Sequence, residues 1–302
     1  MTRAPAARLA GYPGPLRWLA AAVQTSRPRQ WPKNLLVFAA PLAGATLGRA
    51  DGLAYALVAA AAFIAASSAV YFVNDVVDAD RDRRHPYKRN RPVASGQLPK
   101  AHALALAAGC AIAAGAAGFA IGEPKLTVVI CAYLFLSFLY TLVLKHVPFV
   151  EMMFVASGFL LRALGGAAAT HVRPSGWFLL VCSLGAFMVA IAKRFTELRV
   201  LGPEAARHRP VMSWYSPALL RLSERAVALA MIAAYLIWAY TGHGGWMRDW
   251  RLASAIPLTA ALFRFDLLTA KASSKAVEDL ISRDYVMLCC ELAWLVTFAV
   301  GL

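Results

Sequence analysis

Nine residues, NDVVDADRD, run from Asn74 to Asp82 and set four carboxylates at the end of a stretch that is otherwise almost wholly apolar. On an α-helix each residue turns by about 100°. With Asn74 placed at ~0°, Asp78 falls near ~40°, Asp82 near ~80° and Asp75 near ~100°, while Asp80 falls near ~240° and points away. Asn74, Asp75, Asp78 and Asp82 are therefore expected to share one face, with Asp80 a bystander. Carboxylates crowded on one face repel each other unless a cation lies between them. Oxygen ligands without His or Cys suit Mg²⁺ or Mn²⁺, and Mg²⁺ commonly bridges protein carboxylates to substrate phosphates. The plainer reading is a solvated helix end paired with nearby arginines. Carboxylates at such a depth in a membrane protein are costly and usually functional, which favours the metal–phosphate reading.

The residues that follow carry the opposite charge. Arg83, Arg84, Lys88, Arg89 and Arg91 crowd the next ten positions, with His85 among them and Pro86, Pro92 and Gly96 expected to hold the loop in shape. Arg forks bind phosphate bidentately and Lys acts as a point charge, so Arg83, Lys88, Arg89 and Arg91 read as a polyphosphate clamp over Asp75, Asp78 and Asp82. A second basic cluster, SRPRQWPKNLL, adds Arg27, Arg29, Lys33 and Asn34. It reads either as a phosphate site or as membrane-surface anchoring with Trp31 at the interface. A third stretch, IAKRFTELR, sets Lys193, Glu197 and Arg194 at ~0°, ~40° and ~100°, again on one face. This is either a phosphate-binding arrangement or an ordinary Lys–Glu pair at a helix end. Arg162 lies mid-helix beside Gly165 and Gly166, where a phosphate contact and structural pairing fit equally well. Glu291 reads as a hydrogen-bonded structural group.

These residues must be positioned by membrane helices. The chain has 302 residues, 60% hydrophobic and 16% charged, against about 45–50% and about 25% in soluble domains. A span needs roughly 20 mostly apolar residues. Nine candidates run near 34–50, 53–74, 101–121, 125–144, 147–170, 175–193, 225–242, 251–269 and 284–302, the first interrupted by Pro41 and two glycines. The expected architecture is an all-α polytopic membrane bundle, with residues 1–33 as an interfacial lead-in and 34–302 as one nine-helix catalytic domain. No secretory signal pattern occurs in the lead-in; it reads as a surface segment with a short amphipathic turn around Leu16–Val23. Of 31 Lys and Arg, 25 fall on one set of connections, which places the N-terminus and the acidic helix end in the cytosol. The net charge of +15 follows from topology and from attraction to anionic lipid, not from nucleic acid, whose readers carry their basic face on a soluble element. The five cysteines lie in apolar runs without CxxC spacing and read as small packing residues. The connection 264–283 and the proline-rich 199–223 read as covers for the site or as plain connectors.

NDVVDADRD with the trailing HPYKRNRPVASGQLP resembles the first aspartate-rich motif of the UbiA superfamily of intramembrane prenyltransferases. The resemblance implies a helical bundle around a cavity open sideways to lipid, a Mg²⁺-bound diphosphate under cytosolic loops, and a homo-oligomer such as a trimer. Members typically carry a second acidic motif, DxxxD, in the sixth helix; here Lys193 stands where its first Asp would be and Glu197 where its second would be. A cation in place of a metal ligand suits a second phosphorylated substrate. RPRQWPKNLLVFAAPLA, LKHVPFVEMMFVASGFLLRALGG and AKRFTELR are similar to one branch of that superfamily. That branch implies phosphoribosyl diphosphate as donor, a long polyprenyl phosphate as acceptor, and the bacterial plasma membrane as location. Two alternatives stay open at this level: a member using a prenyl diphosphate and an aromatic acceptor, and a transporter for a phosphorylated solute.

Overall fold

The structure, a computed structural model, describes residues 14–85, 88–205, 210–241, 244–271 and 284–302. Among them there are helices and no strands. In chain order they are α1 (Gly14–Thr25), a 3-10 segment (Pro28–Phe38), α2 (Ala39–Ala43), α3 (Ala50–Val77), α4 (Ala79–Arg83), α5 (Lys100–Ala120), α6 (Pro124–Leu142), α7 (Val150–Ala169), α8 (Gly176–Leu201), α9 (Pro217–Thr241), α10 (Trp246–Lys271) and α11 (Tyr285–Val300). Seven of these, α3 and α5 to α10, are long and apolar enough to cross a membrane. The chain is a multi-pass membrane protein.

Among the described residues the expected count of nine spanning helices is not confirmed. α11 has 16 residues, short of the roughly 20 a bilayer requires. The first expected span, 34–50, is no continuous α-helix: Pro32 lies inside the 3-10 segment and Pro41 inside the five-residue α2. Proline removes a backbone donor and clashes with the preceding turn, so these residues settle for the tighter 3-10 form. The segment nevertheless runs back along α3. Arg27, just before it, meets Asp75 near the end of α3, and Arg49, just after α2, caps the start of α3.

The chain divides into two compact units, one of residues 1–41, 47–141 and 164–172 and the other of 42–46, 142–163 and 173–302. In the first unit the buried face of α3 is built largely from small residues, Ala56, Ala59, Ala62, Ala66 and Ala69, with Phe63, Val70 and Phe72 as the larger ones. Small residues let helices in lipid approach closely. The Phe63 ring meets Tyr133 edge-on at 5.4 Å. In the second unit, the Tyr235 hydroxyl joins Ser254 and accepts from the Trp294 indole N–H, while Arg251 Nε donates to the Gly301 carbonyl, tying α9, α10 and the end of α11.

Gly166 shows how tight the first unit is. A Cβ there would lie 1.7 Å from the Val37 carbonyl oxygen. Backbone cannot yield as a side-chain tip can. Gly166→Ala is expected to lower the thermal midpoint in detergent strongly, by at least the ~1–3 kcal/mol typical of overpacking; an unchanged midpoint would show that the 3-10 segment is free to move.

Candidate functional site

α3 ends at Val77, and Asp78 caps it with φ −87° and ψ −2° before α4 begins. Hydrogen bonds from Asp78 N–H to the Asn74 carbonyl and from Asp82 N–H to the Asp78 carbonyl carry the helical turn across this junction. Asp75 and Asp82 turn inward and are 3% and 2% exposed. Asp78 is half-exposed and paired with Arg81 at 2.5 Å. Asp80 lies outside, paired with Arg83 and Lys100. Asn74 is half-buried. Among the described residues, no three acidic, His or Cys side chains converge as a metal cluster.

The two buried carboxylates instead converge on arginine. Arg91 Nη1 donates to Asp82 Oδ2 at 2.7 Å and lies 3.5 Å from Asp75 Oδ1. Arg27 Nη2 donates to the same Asp75 oxygen at 2.6 Å, with its guanidinium 4.7 Å above the Tyr71 ring. Arg27 sits at φ 56°, in the left-handed region uncommon for non-glycine residues and frequent at functional sites.

The basic loop is held by its own apolar residues. Val93, Ala94 and Leu98 are buried, and Val93 and Leu98 join a core with Ala21, Phe72, Ala79 and Ala103. Leu98 N–H donates to the Pro92 carbonyl at 3.0 Å, and Gly96 takes φ 81°, which glycine alone adopts without strain. Arg83 Nε donates to the Ala94 carbonyl at 3.1 Å, so this side chain braces the loop. Lys88 and Arg89 are exposed on a short 3-10 turn. Partial desolvation, then the charge of Arg91, lowers the Lys88 ammonium below its usual value, with Asp82 and Asp78 opposing. Lys88 thus shares with Arg91 the influence of Asp82. Pro86 and Tyr87 lie outside the described residues. Of the N-terminal cluster, Asn34 is buried, Lys33 half-buried and Arg29 exposed.

The second unit carries the other basic motif. Arg194 is 1% exposed and its guanidinium is committed to carboxylates: to Glu151 through Nε and Nη2, the latter at 2.7 Å, and to Glu197 through Nη1 at 2.5 Å. Glu151 also accepts from the Tyr215 hydroxyl at 3.3 Å, and that hydroxyl accepts the Phe149 N–H at 2.9 Å. Burial first, and the Glu151 charge with it, pushes the Tyr215 phenol up against the opposing Phe149 bond, so it stays protonated and donates. Lys193 and Glu197 are half-buried on the same helix. Arg162 is 6% exposed and Nη1 donates to the Gly158 carbonyl one turn back. The expected cover 264–283 is described only to Lys271; Lys275, Glu278, Asp279 and Arg283 lie outside the described residues, and Arg264 pairs with Asp284 at 2.6 Å.

Sequence reading passed over Tyr71 and Tyr215 and left Glu151 open between a functional and a structural role. Tyr71 had a signal, since it stands one helical turn before Asp75. Tyr215 had none, being 64 residues from Glu151.

The donor set at the first site fits a divalent cation. Two buried carboxylates, oxygen only, beside cationic side chains match the usual Mg²⁺ arrangement of one or two carboxylates plus substrate phosphates. The chain is thus a multi-pass helical membrane protein with acidic groups at a helix end and arginines over them. The profile of the UbiA prenyltransferase family matches residues 34–281, and the chain belongs to that family. It is 36% identical over 289 residues, 94% of each chain, to the decaprenyl-phosphate phosphoribosyltransferase of Mycobacterium tuberculosis. It is 33% identical over 292 residues, 93% of this chain and 92% of the other, to the protein of that name from Mycolicibacterium smegmatis. Its fold is similar to a UbiA homolog from Archaeoglobus fulgidus solved bound to GPP and Mg²⁺, with a TM-score of 0.72 at 13% identity, covering 93% of this chain and 98% of that one.

Proposed function

We propose that this transferase moves a 5-phosphoribosyl group from phosphoribosyl diphosphate to a polyprenyl phosphate such as decaprenyl phosphate, releasing diphosphate, at the cytosolic face of a bacterial plasma membrane. The product would feed cell-wall arabinan synthesis. The observation that carries this reading is the end-to-end match to relatives named for that reaction. Lys193, in place of the first Asp of the second acidic motif, with Glu197 at the second position, supports it, because two phosphorylated substrates need more cation and less metal ligand.

Asp75 and Asp82, with Asp78 and Asn74, would hold Mg²⁺, which when bound draws charge from the leaving diphosphate. Arg27, Arg91 and Lys88 bind that diphosphate directly, with Arg29, Lys33, Asn34 and Arg89 around it and Arg83 fixing the loop. Lys193 offers its ammonium to a further phosphate, while Arg194 holds Glu197 in place and Arg162 gives a buried charge in the same unit. The C1–O bond to diphosphate breaks as C1 becomes oxocarbenium-like, and an acceptor phosphate oxygen forms the new bond from the opposite face, inverting C1. A phosphate monoester has its second pKa near ~6 and is already a dianion at neutral pH, so no general base is needed and His85 need not act. The protein contributes positioning and fixed charge.

The test uses the purified full chain in detergent. Phosphoribosyl diphosphate with Mg²⁺ is expected to raise its thermal midpoint, and geranyl diphosphate with Mg²⁺ to leave it unmoved. Radiolabel from the sugar donor should enter the chloroform extract only when polyprenyl phosphate is supplied. Protection by the prenyl diphosphate instead, with no label in lipid, would replace this reading by a prenyltransferase with an aromatic acceptor.

A further inference from the structure

The circumference of α1 divides into three sectors. With Leu16 at ~0°, Trp18, Ala21 and Thr25 fall between ~140° and ~200°, Leu16, Leu19 and Val23 between ~300° and ~0°, and Arg17 and Gln24 near ~80–100°. The first sector faces the protein: Ala21 and Thr25 are buried, and the Trp18 indole N–H donates to His102 Nδ1 at 3.1 Å. The second is apolar yet open, with Leu16, Leu19 and Val23 at 51%, 53% and 47% exposure. The third is polar.

A helix with one face on protein, one apolar face uncovered and one polar face matches the boundary of protein, hydrocarbon and water. Its level in the fold agrees. The inner face packs on Phe72 and Ala79 near the end of α3 and on Ala103 in the first turn of α5, where the membrane helices stop. Two turns of an aliphatic stripe at the rim of a membrane protein meet lipid before anything else.

α1 also leads straight into Arg27. One residue, Ser26, separates Thr25 from that left-handed position, and Pro28 follows with its fixed φ. We infer that α1 is a membrane-surface helix whose Leu16, Leu19 and Val23 enter the leaflet at the acidic helix end, and that this seating aims Arg27 at Asp75. The first half is independent of the proposed reaction; the second rests on it, with Arg27 as a donor-binding residue that α1 positions.

Nitroxide labels at positions 16, 17, 19, 23 and 24, one at a time in a cysteine-free full chain in nanodiscs of phosphatidylglycerol and phosphatidylethanolamine, read the first half by relaxation. Labels at 16, 19 and 23 should favour dissolved oxygen, and those at 17 and 24 a water-soluble nickel chelate. Nickel access at all five would place the stripe in water. Shielding of 16, 19 and 23 from both reagents would mean a protein partner, such as a second copy. Either result overturns the lipid seating. For the second half, Leu19→Asp with Val23→Asp should raise the donor KM roughly tenfold, the size of one charge-assisted hydrogen bond, with kcat within about twofold. Leu19→Phe with Val23→Leu should restore it. An unchanged KM with the polar pair, at an unchanged thermal midpoint, would uncouple α1 from Arg27.

Discussion

The Asp82→Asn change is expected to lower transfer of label from phosphoribosyl diphosphate into lipid by about 10²–10³-fold, the usual loss when one preorganised charge is taken from a transition state. Asp82 is 2% exposed and its Oδ2 holds Arg91 at 2.7 Å. An amide keeps the shape but gives up the charge, so it grips neither a guanidinium nor a divalent cation well. Folding should survive, because Arg91 is partly solvated and retains Asp75 at 3.5 Å. Asp80→Asn is the matched control: that carboxylate is exposed on the other side of α4 and pairs with Arg83 and Lys100, and its loss should change the rate by about twofold at most. Near-normal transfer by the Asp82 variant, with the midpoint unmoved, would remove the carboxylates from the reaction.

Glu151→Ala is expected to cost about 3–5 kcal/mol of stability, the range for breaking one side of a buried ion pair. Glu151 is 0% and Arg194 1% exposed. Removing the carboxylate leaves a guanidinium with Glu197 alone, and the Tyr215 hydroxyl loses its acceptor. Arg194→Ala should cost a similar amount. The double change Glu151→Leu with Arg194→Met, which takes the guanidinium only from the partly exposed Glu197, should recover much of the loss. Thermal midpoints of the four proteins in one detergent decide it; single variants as stable as the parent would mean that water reaches this pair. The same series separates bracing from substrate contact. A brace moves the midpoint, whereas a phosphate ligand moves the donor or acceptor KM in variants that still fold.

Much of the membrane architecture can be read from the chain because hydrocarbon demands long apolar blocks, and seven helices fall where those blocks lie. The 34–50 block carried its own warning in Pro41 and two glycines, and with Pro32 just before it the chain there takes a 3-10 form and a five-residue helix. The acidic motif announced itself, since four carboxylates at the end of an apolar run are rare. What they touch did not. Arg27 lies 48 residues from Asp75, and Arg194 lies 43 from Glu151, distances over which only the packing of whole helices brings side chains together. The wheel set Asp75 and Asp82 within ~20° of each other and Asp80 far from both, and the first two are buried while Asp80 is exposed.

Arg91 reaches across both Asp75 and Asp82. A guest that takes those oxygens has to leave the guanidinium another anion. A free metal ion brings none, whereas a metal already chelated by a diphosphate brings several. On the proposed reading, these ion pairs would therefore favour a cation that arrives with its own phosphates over a loose divalent ion.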